Sequence, residues 1–207
     1  MTPLQTAFAL MPVGYLLGAF PSASIVARIK GHDITKEGSG NPGASNVTRV
    51  LGWKLGLLVL IADIGKGAGA AAIGLAIDNH RGAYIVGFAA VLGHVFPVFR
   101  RFRGGRGVAT AAGILLVIYP LLTLGLGVLW FAIARLTRKA SIASLVLAFV
   151  FPISVSIAHP HIGDIVVSSA LGLVVLLRHL GSLRRLLRGS EPDFRSAPDT
   201  HGESVGP

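Results

Sequence analysis

Apolar residues run along this chain in long blocks, each ended by a short polar, basic or glycine-rich break. A helix crossing a bilayer core of about 30 Å needs roughly 17–25 predominantly apolar residues, and spans crowded into a small bundle can be shorter. On that template the blocks predict seven helices. The first covers residues 4–29 and bends at Pro21, and a polar stretch follows over 30–49. The second covers 53–77 and carries Asp63 and Lys66 inside it; the third covers 83–99 and the fourth 108–119. Pro120 marks a tight turn into a fifth span ending near residue 134, although spans four and five are short enough to form a re-entrant pair instead. After the basic stretch RLTRKAS at 135–141 a sixth span ends at His159, HPHIGD makes a turn, and a seventh covers 162–177.

Basic residues orient this array. With the N-terminus outside, the inner side receives Lys30, Lys36, Arg49, the Arg100–Arg106 group, Arg135 to Lys139 and the arginines after 177, and the outer turns receive only Arg81. Lysine and arginine accumulate on the cytoplasmic side of bacterial membrane proteins, so the pattern predicts N-out and C-in. Composition agrees with a membrane domain: 52% of residues are hydrophobic and 14% charged. The net charge of +10 lies in short breaks between apolar blocks rather than on one soluble basic face, which argues against a nucleic-acid partner. The chain has no cysteine, excluding disulfides and thiolate catalysis. No basic region precedes the first apolar block, so no cleaved signal peptide is expected. Residues 1–188 are read as one transmembrane catalytic domain. The tail, 189–207, is rich in Pro, Ser, Gly and acidic residues and is expected to be disordered.

Three breaks combine glycine with arginine: GSGNPGASNVTR at 38–49, FRRFRGGRG at 99–107 and RHLGSLRRLLRG at 178–189. Glycine lets backbone N–H groups turn toward an anion and arginine supplies a fixed charge. All three fall on the predicted inner side, where together they make a phosphate-handling site. The first offers backbone donors and the Ser39 hydroxyl; on a blander reading it is a flexible loop with Asn46 capping a helix. The second leads into a helix N-terminus at Val108, where free N–H groups favour anions, and it lacks the Lys-Ser/Thr pair of a Walker A loop. Asp63 and Lys66 share a helical face inside the membrane and should pair with each other or with a ligand. His94 and His179 stand at the inner ends of spans three and seven. His159 to Asp164 formally matches the H-x4-D signature of acyl-CoA-dependent acyltransferases, but it falls in an outer turn away from every glycine-rich break. No carboxylates or histidines have metal-ligand spacing, so no metal or cofactor is expected.

SGNPGASNVTRVLG, DIGKG, GHVFPVFRRFRGGRGVAT and RHLGSLRRLLRGSEPDF, in this order and spacing and with YLLGAFPSA before them, closely resemble the bacterial acyl-phosphate:glycerol-3-phosphate acyltransferases. The resemblance spans about residues 14–194. It implies an all-α integral membrane protein of the bacterial inner membrane, with about seven helices, ordered or re-entrant cytoplasmic loops and an active site on the cytoplasmic face. It implies transfer of a fatty acyl group from acyl phosphate to the sn-1 hydroxyl of glycerol-3-phosphate, giving lysophosphatidic acid and phosphate. Its partners are then glycerol-3-phosphate, acyl phosphate and membrane lipid, and the chain is expected to act as a monomer.

Carried over by position, the resemblance implies catalytic roles for Ser39, Arg49 and His179. It implies substrate binding by Gly40, Asn41, Gly43, Asn46, Lys66, His94, Gly104, Gly105, Arg106, Gly107 and Ser182. Two positions depart from the family pattern: Arg106 stands where lysine is usual, and Ser182 replaces an asparagine. Arginine keeps the charge but presents a planar fork, and serine cannot present an amide. Glu191 matches a glutamate with a structural role. An acyl phosphate is already activated, so the chemistry needs two anions held together, a dry acyl groove and an aimed hydroxyl, with His179 or a substrate phosphate oxygen as base. The rival class is a small transporter or channel for an anionic solute, which calls for polar features on both sides or repeated halves. The sequence has neither.

Overall fold

The structure, a computed structural model, describes residues 1–194, and among these every regular element is a helix. The N-terminal block is broken into three pieces: α1 (Pro3–Ala9), α2 (Met11–Ala19) and α3 (Ser22–Ile29). Thr2 and Gln5 form a reciprocal capping box that starts α1. The expected bend falls at Phe20 and Pro21, where the backbone leaves helical geometry and proline has no N–H to offer. The polar stretch after α3 contains a short helix, α4 (Ala44–Leu51), that the hydropathy pattern does not reveal.

Helix α5 (Trp53–Val95) has 43 residues, which unbroken would be about 65 Å long, twice the bilayer core. It turns back on itself at Asp78 and Asn79, the latter at φ 47°. Asp63 Oδ1 and His94 Nδ1 lie 3.7 Å apart, whereas in a straight helix they would be separated by about 46 Å. The two limbs coincide with the second and third predicted spans. Small residues let the limbs and α2 approach backbone to backbone. A Cβ on Gly18 would overlap the Ala90 carbonyl, and one on Gly74 would overlap that of Gly82. Tyr15 donates its hydroxyl to the Phe96 carbonyl at 2.6 Å, fixing α2 to the end of α5.

Helix α6 (Val108–Ile118) lies against both limbs, packing at Gly67, Gly87 and Ile64. Helices α7 (Pro120–Thr137), α8 (Ala140–Ala158) and α9 (Ile162–Arg178) follow, and α10 (Leu180–Leu187) turns from α9 by 50°. The core joins Tyr84 and Val91 of α5, Ile114 and Leu115 of α6, Phe151 of α8 and Leu171 of α9. At the end of the bundle that carries the α5 turn, Tyr119 donates to Asp164 at 2.7 Å and stacks on His159, tying the α6–α7 junction to the α8–α9 turn.

By length and hydropathy, four segments suffice to cross a membrane: Pro3–Ile29, Trp53–Arg100, Pro120–Thr137 and Ala140–Ala158. A fifth is the bent pair Ile162–Arg178 with Leu180–Leu187. That count differs from seven for two physical reasons. The α5 limbs run on without a polar linker, and α6 has only 11 residues. The break after residue 177 is helical rather than a loop. The described part of the expected tail, 189–194, is held against the bundle by contacts set out below, and residues 195–207 lie outside the described residues.

Candidate active site

The 38–43 loop is shaped by two left-handed glycines, Gly38 at φ 57° and Gly40 at φ 69°. Asn46, 1% exposed, fastens it. Its amide donates to the carbonyls of Ile34 (3.1 Å) and Glu37 (2.9 Å), and its Oδ1 accepts the Ser39 N–H (2.8 Å) and Arg49 Nη1 (3.0 Å). The cap of α4 is Gly43, not Asn46, which sits in the first turn. Asn46 is thus occupied in holding Ser39 and Arg49 together. Arg49 Nε also donates to the Asp193 carbonyl at 2.7 Å, so part of its fork stays available for an anion.

The glycine-arginine break at 99–107 works differently from the expected phosphate cradle. The N–H groups of Gly104 and Gly105 donate to the carbonyls of Val95 and His94, both at 3.1 Å. Their own carbonyls accept from Arg178, at 3.0 and 3.2 Å. These amides are therefore spent within the protein. The glycines are needed for close packing, because a Cβ on Gly104 would overlap the His94 carbonyl and one on Gly105 the His94 ring. The splint presents Arg106 and then Gly107, at φ 85°, which caps α6. The first N–H groups of α6 have no partner within the helix and remain the backbone donors at this point. Burial lowers the Arg106 guanidinium to about 10, partly offset by the Glu191 carboxylate, so it stays charged at neutral pH. Burial lowers Arg49 as well.

His179 lies at the bend between α9 and α10 and is 1% exposed. Its Nδ1 stands 2.8 Å from the Val175 carbonyl, which can only accept, so the proton is on Nδ1 and Nε2 carries the free lone pair. Ser182, one turn on, does not join it in the cavity. It is buried in α10 and accepts Arg185 Nη2 at 3.0 Å, while Arg185 Nε donates to Glu191 at 2.7 Å. Where the resemblance implies substrate contact for Ser182, the structure has the serine in a packed Ser182–Arg185–Glu191 chain. Burial pushes the Glu191 carboxyl up, but Ser141, Arg185 and the charge of Arg106 outweigh it and hold it below its ordinary value. Beyond Glu191, Lys139 reaches the Glu191 carbonyl and Asp193 Oδ1 (2.5 Å). The Phe194 N–H donates to the Arg138 carbonyl, and its ring meets Trp130 edge-on.

Asp63 forms a second buried centre. It accepts the Ser22 hydroxyl at 2.6 Å and Lys66 Nζ at 2.8 Å, with His94 beside it. Lys66 also donates to the Phe20 carbonyl at 3.1 Å, which places the lysine at the α2–α3 break. Sequence reasoning had paired Asp63 with Lys66 but left Asp63 and Ser22 out of the site. Ser22 lies in the YLLGAFPSA segment, but its partner lies 41 residues away.

A cavity of about 820 Å³ joins these parts. At one end it meets Ser39, Asn41, Gly43, Asn46, Arg49, Asp63, His94, Arg106, Gly107, His179 and Glu191; the rest is walled by Leu57, Leu60, Leu115, Trp130, Phe131, Phe151, Leu171 and their neighbours. Gly40, Lys66, Gly104, Gly105 and Ser182 are not on its wall; Lys66, Gly104 and Gly105 instead line a void of about 20 Å³ behind His94. A cationic end continuous with a long apolar groove fits an anionic amphiphile. Among the described residues no three His, Cys, Asp or Glu side chains gather as metal ligands.

The glycerol-3-phosphate acyltransferase family model matches residues 8–189. The chain is 41% identical over 186 residues to a glycerol-3-phosphate acyltransferase of Bacillus cytotoxicus, covering 89% of this chain and 93% of that one. It is 39% identical over 196 residues to one of Syntrophotalea carbinolica, covering 93% and 100%. Two crystal structures of PlsY, an integral membrane glycerol 3-phosphate acyltransferase, superimpose at 35% identity. The glycerol 3-phosphate form gives a TM-score of 0.86 with 91% and 95% coverage; the lysophosphatidic acid form gives 0.85 with 92% and 96%.

Proposed function

Because the chain belongs to the glycerol-3-phosphate acyltransferase family, we propose that its cavity takes glycerol-3-phosphate and a fatty acyl phosphate side by side and joins them. The observation that carries this reading is the continuity of the cavity. Arg49 and Arg106 stand at one end for phosphate, and an apolar groove leads away for a chain. The sn-1 hydroxyl of glycerol-3-phosphate attacks the acyl carbonyl carbon. An ester C–O bond forms, the bond from that carbon to the phosphate oxygen breaks, and lysophosphatidic acid and inorganic phosphate leave. The hydroxyl proton passes to His179 Nε2, whose lone pair is free because Nδ1–H is held by Val175, or to a phosphate oxygen of the substrate. Ser39 lends a hydroxyl beside Arg49. Positioning two anions within reach supplies most of the rate, since the donor is already activated.

Purified protein in detergent tests this. Phosphate is expected to appear from palmitoyl phosphate only when glycerol-3-phosphate is present, and palmitoyl-CoA should not replace the donor. Release without the acceptor, or activity with the thioester alone, would overturn the reading.

The enzyme works in the bacterial inner membrane with this site on the cytoplasmic side and acts as a monomer. The support for the orientation is the charge pattern, since Arg100, Arg101, Arg103, Arg135, Arg184 and Arg188 all fall in breaks that the predicted topology puts on one side of the membrane. Single cysteines replacing Arg103 or Ser190, both exposed, should resist an impermeant thiol reagent in intact cells, and one replacing the exposed His161 should react. The opposite labelling pattern would reverse the orientation.

A further inference from the structure

The chain turns sharply after α10. Gly189, at φ 67°, sends its N–H to the Leu186 carbonyl while the Ser190 N–H reaches the Arg185 carbonyl, the paired bonds of a Schellman turn. Residues 190–194 then lie against the junction of α7 and α8. Lys139 Nζ donates to the Glu191 carbonyl and to Asp193 Oδ1 (2.5 Å), and the Phe194 N–H donates to the Arg138 carbonyl at 2.6 Å. Within this pinned strap the Asp193 carbonyl accepts Arg49 Nε at 2.7 Å, a bond between residues 144 positions apart. Arg49, Glu191 and Phe194 line the cavity, whereas Lys139 and Asp193 do not. Any part Lys139 plays in the reaction is therefore played through another residue.

Arg49 shows which one. A guanidinium is a rigid plane with five N–H donors. Asn46 Oδ1 takes one from Nη1 and the Asp193 carbonyl takes the one on Nε, so the plane is gripped at two edges and cannot swing. Among the described residues that leaves three donors on a side chain that lines the cavity. Without the Asp193 carbonyl the plane would turn about its remaining bond, and an arriving phosphate would have to order it. We propose that Lys139 is a positioning residue for acyl transfer: by clamping the 190–194 strap to the α7–α8 junction, it places the carbonyl that holds Arg49 ready for the substrate phosphate. The inference rests on the phosphate-binding role given to Arg49 above. The Asp193 side chain is 46% exposed and that of Lys139 25%, so the ion pair adds little to the stability of the bundle. Its effect lies in where it keeps the backbone.

Lys139→Met removes the clamp at similar length. It should raise KM for glycerol-3-phosphate about three- to tenfold, the cost of ordering one freed side chain, with kcat and the unfolding midpoint close to wild type. A merely structural role would instead reduce the active fraction, and so kcat, and leave KM where it was. Lys139→Arg can grip the same carboxylate and should restore KM. Asp193→Ala, at a side chain exposed enough to be replaced without harm to the fold, should raise KM by less, because Lys139 keeps the Glu191 carbonyl; it carries the test if Lys139→Met does not fold. The decisive comparison is a double-mutant cycle. In an Arg49→Ala background, Lys139→Met should change KM by less than about twofold, since its effect runs through the arginine. Where Arg49→Ala has no measurable turnover, Arg49→Lys serves as the background, because it keeps a charge but has no planar fork to orient. An unchanged KM in Lys139→Met, a loss confined to kcat, or the full effect persisting without Arg49 would each overturn the positioning role. Absence of acyl-phosphate-dependent turnover in the wild-type protein would overturn the reading beneath it instead.

Discussion

Arg106→Ala is expected to lower kcat/KM for glycerol-3-phosphate about 10- to 150-fold, the loss of a charge-assisted contact worth about 1.5–3 kcal/mol. The expectation follows from how the side chain is held. Arg178 grips the carbonyls of Gly104 and Gly105, the amides of those glycines grip the end of α5, and Arg106 projects from this splint into the cavity. The guanidinium is largely buried yet charged at neutral pH, so its field is little screened by solvent. Arg49 shares the site but already spends two N–H groups on Asn46 and Asp193, so Arg106 should dominate. Arg101, exposed and off the cavity wall, provides the control: Arg101→Ala should change kcat/KM little. Arg106→Lys should keep most of the activity, since it keeps the charge and loses only the fork. If the alanine variants at 101 and 106 lose activity equally, the arginines act through bulk electrostatics and the site assignment is wrong.

Much of this arrangement was legible in the sequence, and the parts that were not share a cause. Hydropathy marked the helical blocks and placed the break between residues 77 and 83 that the structure realises at Asp78 and Asn79. Motif order brought Ser39, Arg49, Arg106 and His179 to one place, and all four line one cavity. Gly104 and Gly105 read two ways because glycine serves two purposes that look alike in a sequence: baring N–H groups to an anion, and letting a backbone touch its neighbour. Only the positions of His94 and Arg178 show that the second applies here. Ser182 has a similar ambiguity. Helical spacing puts it near His179, but the chain bends at His179, and the serine faces Arg185 instead. The segment 190–194 reads as tail by composition, yet Glu191 is buried, and Asp193 and Phe194 bind partners far away in the chain. Contacts of that kind are fixed by tertiary packing and leave no local pattern.

The buried centre at Asp63 is the place where a single change should do most damage to the fold. Asp63→Ala removes the only carboxylate that accepts from Lys66 among the described residues, leaving a buried ammonium with the Phe20 carbonyl as its remaining partner. Removing one member of a buried pair costs about 3–5 kcal/mol. For a chain of this size each kcal/mol moves the unfolding midpoint by about 2–4 °C, so a fall of about 10 °C is expected in detergent. The cost should come from the stranded charge rather than from lost attraction. Asp63→Asn combined with Lys66→Met, which removes both charges at similar volume, should therefore recover most of the midpoint. Ser22 and His94 make the damage functional as well as structural, because the His94 ring wedges against Gly105 and so supports the loop that carries Arg106. Activity should consequently fall further in Asp63→Ala than in the charge-free pair when both are measured below their midpoints. An Asp63→Ala protein with an unchanged midpoint, or a double variant no more stable than the single one, would show that the centre is solvated and holds nothing together.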